Sequence, residues 1–244
     1  SNEYYPLLAR ALGRDAIYFD YLTSVNQALD DEEYLNRFDG LLLYANHPKL
    51  TALQWENLLG FVRKGKGFIP LHCASWCFSN IPEYDQLVGG RFKSHQGAVF
   101  SPRVVKRKHP AVQGIGKLEA WDETYFHTRH NPNGRIVLMV RDPMPGDPHV
   151  QPEPWTWVRM EGKGRVFYTA SGHDERVWNE PEFHQLIKQG ILWAVGERVI
   201  NRYEKFLANR EPLRYEKRDN IPNYEKRPEP LAYQLPLSPE ESIK

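Results

Sequence analysis

Cysteine is scarce in this chain of 244 residues: only Cys73 and Cys77 occur, four positions apart. Two thiols build no disulfide framework, and they supply no metal set on their own. Long apolar runs are missing as well. None approaches the roughly 18 residues that a membrane-spanning helix needs, so no membrane segment is expected here. Charge of one sign is also lacking. Lys plus Arg (32) stands against Asp plus Glu (31), a formal net charge of +1, which gives no support to a nucleic-acid partner or an anionic membrane. The turns Gly65-Lys66-Gly67 and Gly162-Lys163-Gly164 lack the spacing of a phosphate loop. No cofactor is expected.

What is present fits a soluble globular chain, at 41% hydrophobic and 26% charged residues. The length allows one large domain or two small ones. The chain opens on Ser1-Asn2 rather than methionine and runs directly into a helix-like stretch, so an upstream strand or targeting segment is expected to be missing from this numbering. The compartment stays open.

Apolar periodicity predicts the end of a helix over Tyr4–Leu12 and a strand over Ala16–Tyr21. A short helix or loop follows over Asp30–Phe38. Leu41–Ala45 is a continuous apolar run of the kind that strands covered on both faces show. Thr51 is a candidate N-cap for a helix reaching Lys64. Phe68–Leu71 then reads as a buried strand turning abruptly into His72-Cys73-Ala74-Ser75. Strand, helix and strand in that order argue a parallel sheet with right-handed crossovers. Further on, a helix is expected over Pro82–Val88 and strands over Ala98–Val105, Arg135–Val140, Trp155–Met160 and Arg165–Ala170. Arg141–Pro154 is rich in proline and reads as irregular. Amphipathic helix returns over Glu182–Val195, with a further helical segment over Arg198–Ala208. The sequence divides into a domain over residues 1–197 and, over 198–244, a helical and then Pro-rich tail or linker.

Polar groups follow strong strands in three places: His72-Cys73, Asp122-Glu123-Thr124-Tyr125-Phe126-His127, and Gly172-His173-Asp174-Glu175. In a parallel sheet such strand ends converge on one rim, where ligands bind. Histidines beside carboxylates are the equipment of general acid–base chemistry. Cys73 stands where a thiol nucleophile would, although a free cysteine is more often a small buried hydrophobe. His47, His72, His95, His127 and His173 with Asp122 raise the question of a metal. With no HExxH and no closely spaced ligand set, no metal is expected. Trp121, Trp155, Trp157 and Trp178 flank the polar clusters and suit carbohydrate, whose apolar faces stack on rings, yet tryptophan is equally ordinary core material.

The motifs GKGFIPLHCAS, GGRFKSHQG, WDETYFH, EPWTWVR and GKGRVFYTASGHDERVW resemble, in that order, those of the ThuA-like (trehalose utilisation) family over about Tyr34–Gly196. The resemblance implies a three-layer α/β/α sandwich with a mostly parallel central sheet, flavodoxin-like and related to class I glutamine amidotransferases. It implies a role in carbohydrate utilisation, tied to disaccharides such as trehalose and their 3-keto derivatives. In those amidotransferases the nucleophilic cysteine sits in a Gly-x-Cys-x-Gly elbow. Here the turn is Pro70-Leu71-His72-Cys73-Ala74, so His72 takes the nucleophile's place and the flanking glycines are absent. Glutamine hydrolysis is disfavoured. The tail NYEKRPEPLAYQLPLSPEESIK resembles the linker that joins ThuA-like modules to a dehydrogenase-like β-propeller and haem domain in multidomain relatives, which implies an extracytoplasmic setting.

The leading expectation is a domain that binds or converts a disaccharide or 3-keto-sugar at the strand-end rim. His72, Asp122, Glu123 and His173 would carry acid–base work, and His95, Tyr125, His127, Trp155, Trp157 and Asp174 would form the binding shell. The alternative is a non-catalytic module that recognises carbohydrate or docks a partner domain. A metal-dependent hydrolase and a thiol enzyme are weaker rivals. Substrate, reaction and oligomeric state are not legible.

Overall fold

The computed structural model describes residues 3–209, which, but for the last, belong to one compact unit, Ser1–Ala208. The tail over 210–244, and with it the linker resemblance, lies outside the described residues.

Three short helices lead in: α1 (Tyr5–Gly13), α2 (Val25–Leu29) and α3 (Glu32–Asn36). The predicted strand over Ala16–Tyr21 does not form. Ala16 is left-handed at φ 59°, and the segment joins no strand ladder. Its alternation survives as packing, since Ile17 and Phe19 lie against the core while Tyr18 is exposed.

The sheet begins with β1 (Gly40–Leu43), followed by α4 (Ala52–Arg63) and β2 (Gly67–Pro70). Thr51 caps α4 as expected. Its hydroxyl accepts from the Gln54 N–H at 3.2 Å while the Gln54 side chain accepts from the Thr51 N–H at 2.9 Å, a reciprocal capping box. A 3-10 turn over His72–Trp76 leads to α5 (Pro82–Val88). Then come β3 (Arg91–Ser94), β4 (Gly97–Phe100), β5 (Arg103–Val104), β6 (Ala120–Glu123), β7 (Phe126–Thr128), β8 (Ile136–Arg141), β9 (Glu153–Glu161) and β10 (Gly164–Thr169). The chain closes with α6 (Glu175–Trp178), α7 (Pro181–Val195) and α8 (Glu197–Asn209).

Six strands form the main sheet in the order β1-β2-β10-β9-β8-β5. The pairings β1–β2 and β2–β10 are parallel, and β10–β9, β9–β8 and β8–β5 are antiparallel. The crossover reading thus describes one half of the sheet, and hairpin-type pairing builds the other. The predicted strand Ala98–Val105 is two strands. Around Ser101-Pro102, where proline offers no N–H to a ladder, β4 leaves for a separate ribbon with β6 and β5 joins the main sheet. A second ribbon pairs β3 with β7.

Glycines allow helices to close on both faces. A Cβ on Gly67 would lie 2.9 Å from the backbone of Ala194 in α7. One on Gly164 would lie 2.0 Å from the Val62 carbonyl oxygen in α4. Arg165 pairs with Gly67 across the β10–β2 ladder, so its neighbour Gly164 faces the opposite side. The three-layer arrangement follows, with Phe68, Ile69, Val166 and Phe167 fully buried between the layers.

Gly60, inside α4, has nothing within 4 Å of its missing Cβ. Gly164→Ala should therefore lower the unfolding free energy in urea by about 1–3 kcal/mol, since backbone cannot yield to the added methyl. Gly60→Ala should raise it by roughly 0.5–1 kcal/mol. Equal responses of the two variants would contradict this packing.

Candidate functional site

The site starts where β2 runs out of sheet. Leu71 still bridges to Thr169 of β10, and the next residue, His72, turns left-handed at φ 45°. A histidine held there costs on the order of 1–3 kcal/mol and persists only when its surroundings fix it. They do. His72 is buried, its Nδ1 lies 2.7 Å from the Ala170 carbonyl oxygen, and its ring stacks on Tyr125 at 4.2 Å between centroids. A carbonyl only accepts, so Nδ1 carries a proton and Nε2 is the nitrogen presented to the site.

That nitrogen meets Glu123, at the end of β6, with 3.2 Å between Nε2 and Oε2. The Nδ1 of His173 lies 3.2 Å from the same oxygen. The Nε2 of His95, from the turn between β3 and β4, lies 3.4 Å from Oε1. One carboxylate thus faces three imidazole nitrogens drawn from three separate segments. Burial pushes the Glu123 carboxyl up, but the His72 hydrogen bond and the charges of His72, His173 and His95 outweigh it, leaving a net shift downward.

Asp122 does a different job. Its Oδ1 accepts from the backbone N–H of His173 (3.1 Å) and Glu123 (2.9 Å), and its Oδ2 from that of Gly172 (3.0 Å). Burial raises its pKa, opposed by the nearby His72 charge and these N–H donors. Tyr44, at the end of β1, and Trp178 both donate to the Gly172 carbonyl, at 2.8 and 2.9 Å. Gly172 itself sits at φ 131°, with the Phe183 ring 3.1 Å from where a Cβ would be. The loop that presents His173 is therefore fixed from both sides. Asp174 caps α6 and pairs with Arg176, and it lies 3.9 Å from His173 Nε2.

The structure gathers His72, Glu123, His173 and His95, lays Tyr125 under His72, and sets Asp122 and Asp174 behind. Other expected residues stand apart. His127 is buried and bonds Glu153 at 3.2 Å and the Tyr168 hydroxyl at 3.0 Å. Trp155 and Trp157 have no exposed surface, and their indole N–H groups donate to Ser171 and the Val88 carbonyl. With both rings packed inside, neither offers a face to a sugar. Besides Tyr125, Trp121 borders the site, its ring centroid 5.7 Å from that of His173. Tyr168, not singled out in the sequence, sets its hydroxyl 2.9 Å from the Ser75 hydroxyl and 3.1 Å from the His72 carbonyl oxygen. Strand alternation marks it as an inward residue, but nothing local marks its hydroxyl as a support for the elbow.

Neither thiol is poised for attack. Burial pushes Cys73 up to about 12 and Cys77 up to about 11, and the Cys77 Sγ donates to the Ala45 carbonyl. At pH 7 the native protein should react with a thiol-specific disulfide reagent at least tenfold more slowly than the urea-unfolded chain, because the thiolate is the reactive form. Native labelling as fast as unfolded would contradict the burial.

Among known proteins, the family model for ThuA, described as trehalose utilisation, matches residues 5–194. No curated protein matches the chain. Solved structures share the fold at low identity. A ThuA-like protein from Bacteroides uniformis superposes with a TM-score of 0.67 at 16% identity, covering 79% of this chain and 82% of that one. One from Parabacteroides merdae gives 0.64 at 18%, covering 78% and 83%. A β-galactosidase from Rahnella gives 0.52 at 19% identity, covering 75% of this chain but only 26% of the larger enzyme. The motifs, the three-layer sheet and the match over residues 5–194 agree, and the chain belongs to the ThuA family.

Proposed function

We propose that this ThuA-family chain binds a disaccharide or 3-keto-sugar at the rim formed by His72, Glu123, His173 and His95, and converts it by proton transfer. Membership of the family supports a role in carbohydrate utilisation in general. The observation that carries the finer reading is the single carboxylate within 3.2–3.4 Å of three imidazole nitrogens. Such a group sets a carboxylate beside imidazoles, the pairing that chemistry next to a sugar carbonyl uses: one member withdraws a proton from carbon while another donates to the carbonyl oxygen. The side chains of His173 and His95 are partly exposed, at 37% and 43%, and Glu123 at 13%. A ligand can therefore reach the cluster from solvent while His72 remains inside. Trp121 supplies the neighbouring ring, with Arg176 stacked on its face.

Asp122 acts here as a positioning residue, since its oxygens are taken up by backbone N–H groups. It orients His173 rather than meeting substrate.

The test is calorimetric titration with trehalose, glucosides and their 3-keto forms, followed by product analysis. Glu123→Gln, His72→Ala and His173→Ala are expected to lower turnover roughly a hundred- to ten-thousandfold, the usual range for one acid–base group. Variants that bind and turn over like the parent would overturn the site assignment. Saturable binding with no product would identify the recognition module instead, with Trp121→Ala then the damaging change.

A further inference from the structure

We propose that His72, Glu123 and His173 form a site for one divalent first-row transition metal ion, with His95 beside it against the second Glu123 oxygen. Three donor atoms, His72 Nε2, a Glu123 carboxylate oxygen and His173 Nδ1, all lie within 4.8 Å of one another. The residues are 51 and 50 positions apart in sequence, which is why no short ligand motif announces them.

Hydrogen-bond polarity points to a cation. The Ala170 carbonyl takes the Nδ1 proton of His72, so in its neutral form the ring turns the Nε2 lone pair towards the Glu123 oxygen 3.2 Å away, and only the charged ring can donate to it. His95 repeats the arrangement: Nδ1 lies 3.1 Å from the Gln96 carbonyl oxygen, and Nε2 faces the other Glu123 oxygen at 3.4 Å. Lone pairs opposed to a carboxylate repel unless something positive lies between them. Protons would have to charge several rings around one carboxylate. A single dication answers His72, Glu123 and His173 together.

Distances agree with that reading. Ligand atoms bound to one metal at about 2.1 Å stand roughly 3.0–3.4 Å apart, for angles between square and tetrahedral. The two nitrogen–oxygen separations at Glu123 Oε2 are both 3.2 Å. The surroundings resemble those of ligating histidines too, whose far nitrogen characteristically donates to a carbonyl or carboxylate. His72 has the Ala170 carbonyl in that role. Asp122 and the left-handed turn at His72 hold two of the ligands in place before any ion arrives. Two imidazoles and one carboxylate leave coordination positions open, as reactive rather than purely structural metal sites do. On the carbohydrate reading those positions would face a keto or hydroxyl oxygen, and with an ion bound His72, Glu123 and His173 would hold it rather than carry the protons themselves. That extension rests on the proposed function, whereas the metal site does not.

The experiment uses the metal alone, without sugar. Chelator-treated full-length protein is titrated with Zn²⁺ and Mn²⁺ by calorimetry and with Co²⁺ by visible absorption. One equivalent should bind, with a Co²⁺ ligand-field spectrum of nitrogen and oxygen ligation. Glu123→Gln and His173→Ala should each weaken binding at least tenfold, while His149→Ala, outside the cluster, should bind as the parent does; circular dichroism checks that each variant is folded. Failure of the parent to bind any of the three ions stoichiometrically would overturn the proposal, whatever the variants do. So would affinity and spectrum that survive in folded Glu123→Gln and His173→Ala.

Discussion

The contact on which the rim depends is the hydrogen bond from His72 Nδ1 to the Ala170 carbonyl. It joins the ends of two neighbouring parallel strands, β2 and β10, at the point where both leave the sheet. The left-handed backbone at His72 is costly by itself, and this bond, together with the Tyr125 stack and burial, offsets the cost. It also decides the tautomer, and hence which nitrogen faces the carboxylate. The elbow that ends β2 carries an imidazole anchored through its rear nitrogen.

From that anchor the site is assembled by segments that share no local sequence. The ribbon β4–β6 delivers Glu123, the turn before β4 delivers His95, and the loop after β10 delivers His173. Asp122 couples two of these pieces, since the residue adjacent to Glu123 bonds the backbone of the loop that carries His173. Beneath them, Tyr168 links the His72 and Ser75 elbow to the buried His127–Glu153 pair. Burial pushes His127 down, against the pull of Glu153. Burial also pushes Glu153 up, but hydrogen bonding and the charge of His127 bring it down on balance. The interior polar chain is therefore part of the scaffold and not of the rim.

Much of this was legible in the residues. The apolar runs at 41–45 and 68–71, the Thr51 cap and the three polar clusters at strand ends led to the correct half-sheet and to His72, Glu123 and His173. Those signals are local: periodicity, capping chemistry and a switch from apolar to polar. What failed depended on partners far along the chain. Ala16–Tyr21 has strand character but no ladder to join, and Pro102 divides what reads as one strand between two sheets. Trp155 and Trp157 stand beside polar motifs in sequence, yet the pleat of β9 turns both rings inward. The split of labour between Asp122 and Glu123 follows from alternation too, because neighbours on a strand face opposite sides. Which of the two faced the rim was not fixed until β4 was paired with β6.

The central claim is that Glu123 is the common partner of three imidazoles whose geometry is set before any ligand binds. Long-range proton–nitrogen NMR of the histidine rings in metal-free protein tests it most directly. His72 should show a protonated Nδ1, and Glu123→Gln should shift the ring signals of His72, His173 and His95 together while leaving His109 and His149 unmoved. A His72 ring lacking the Nδ1 proton, or a Glu123→Gln spectrum in which those three rings stay where they were, would contradict the account.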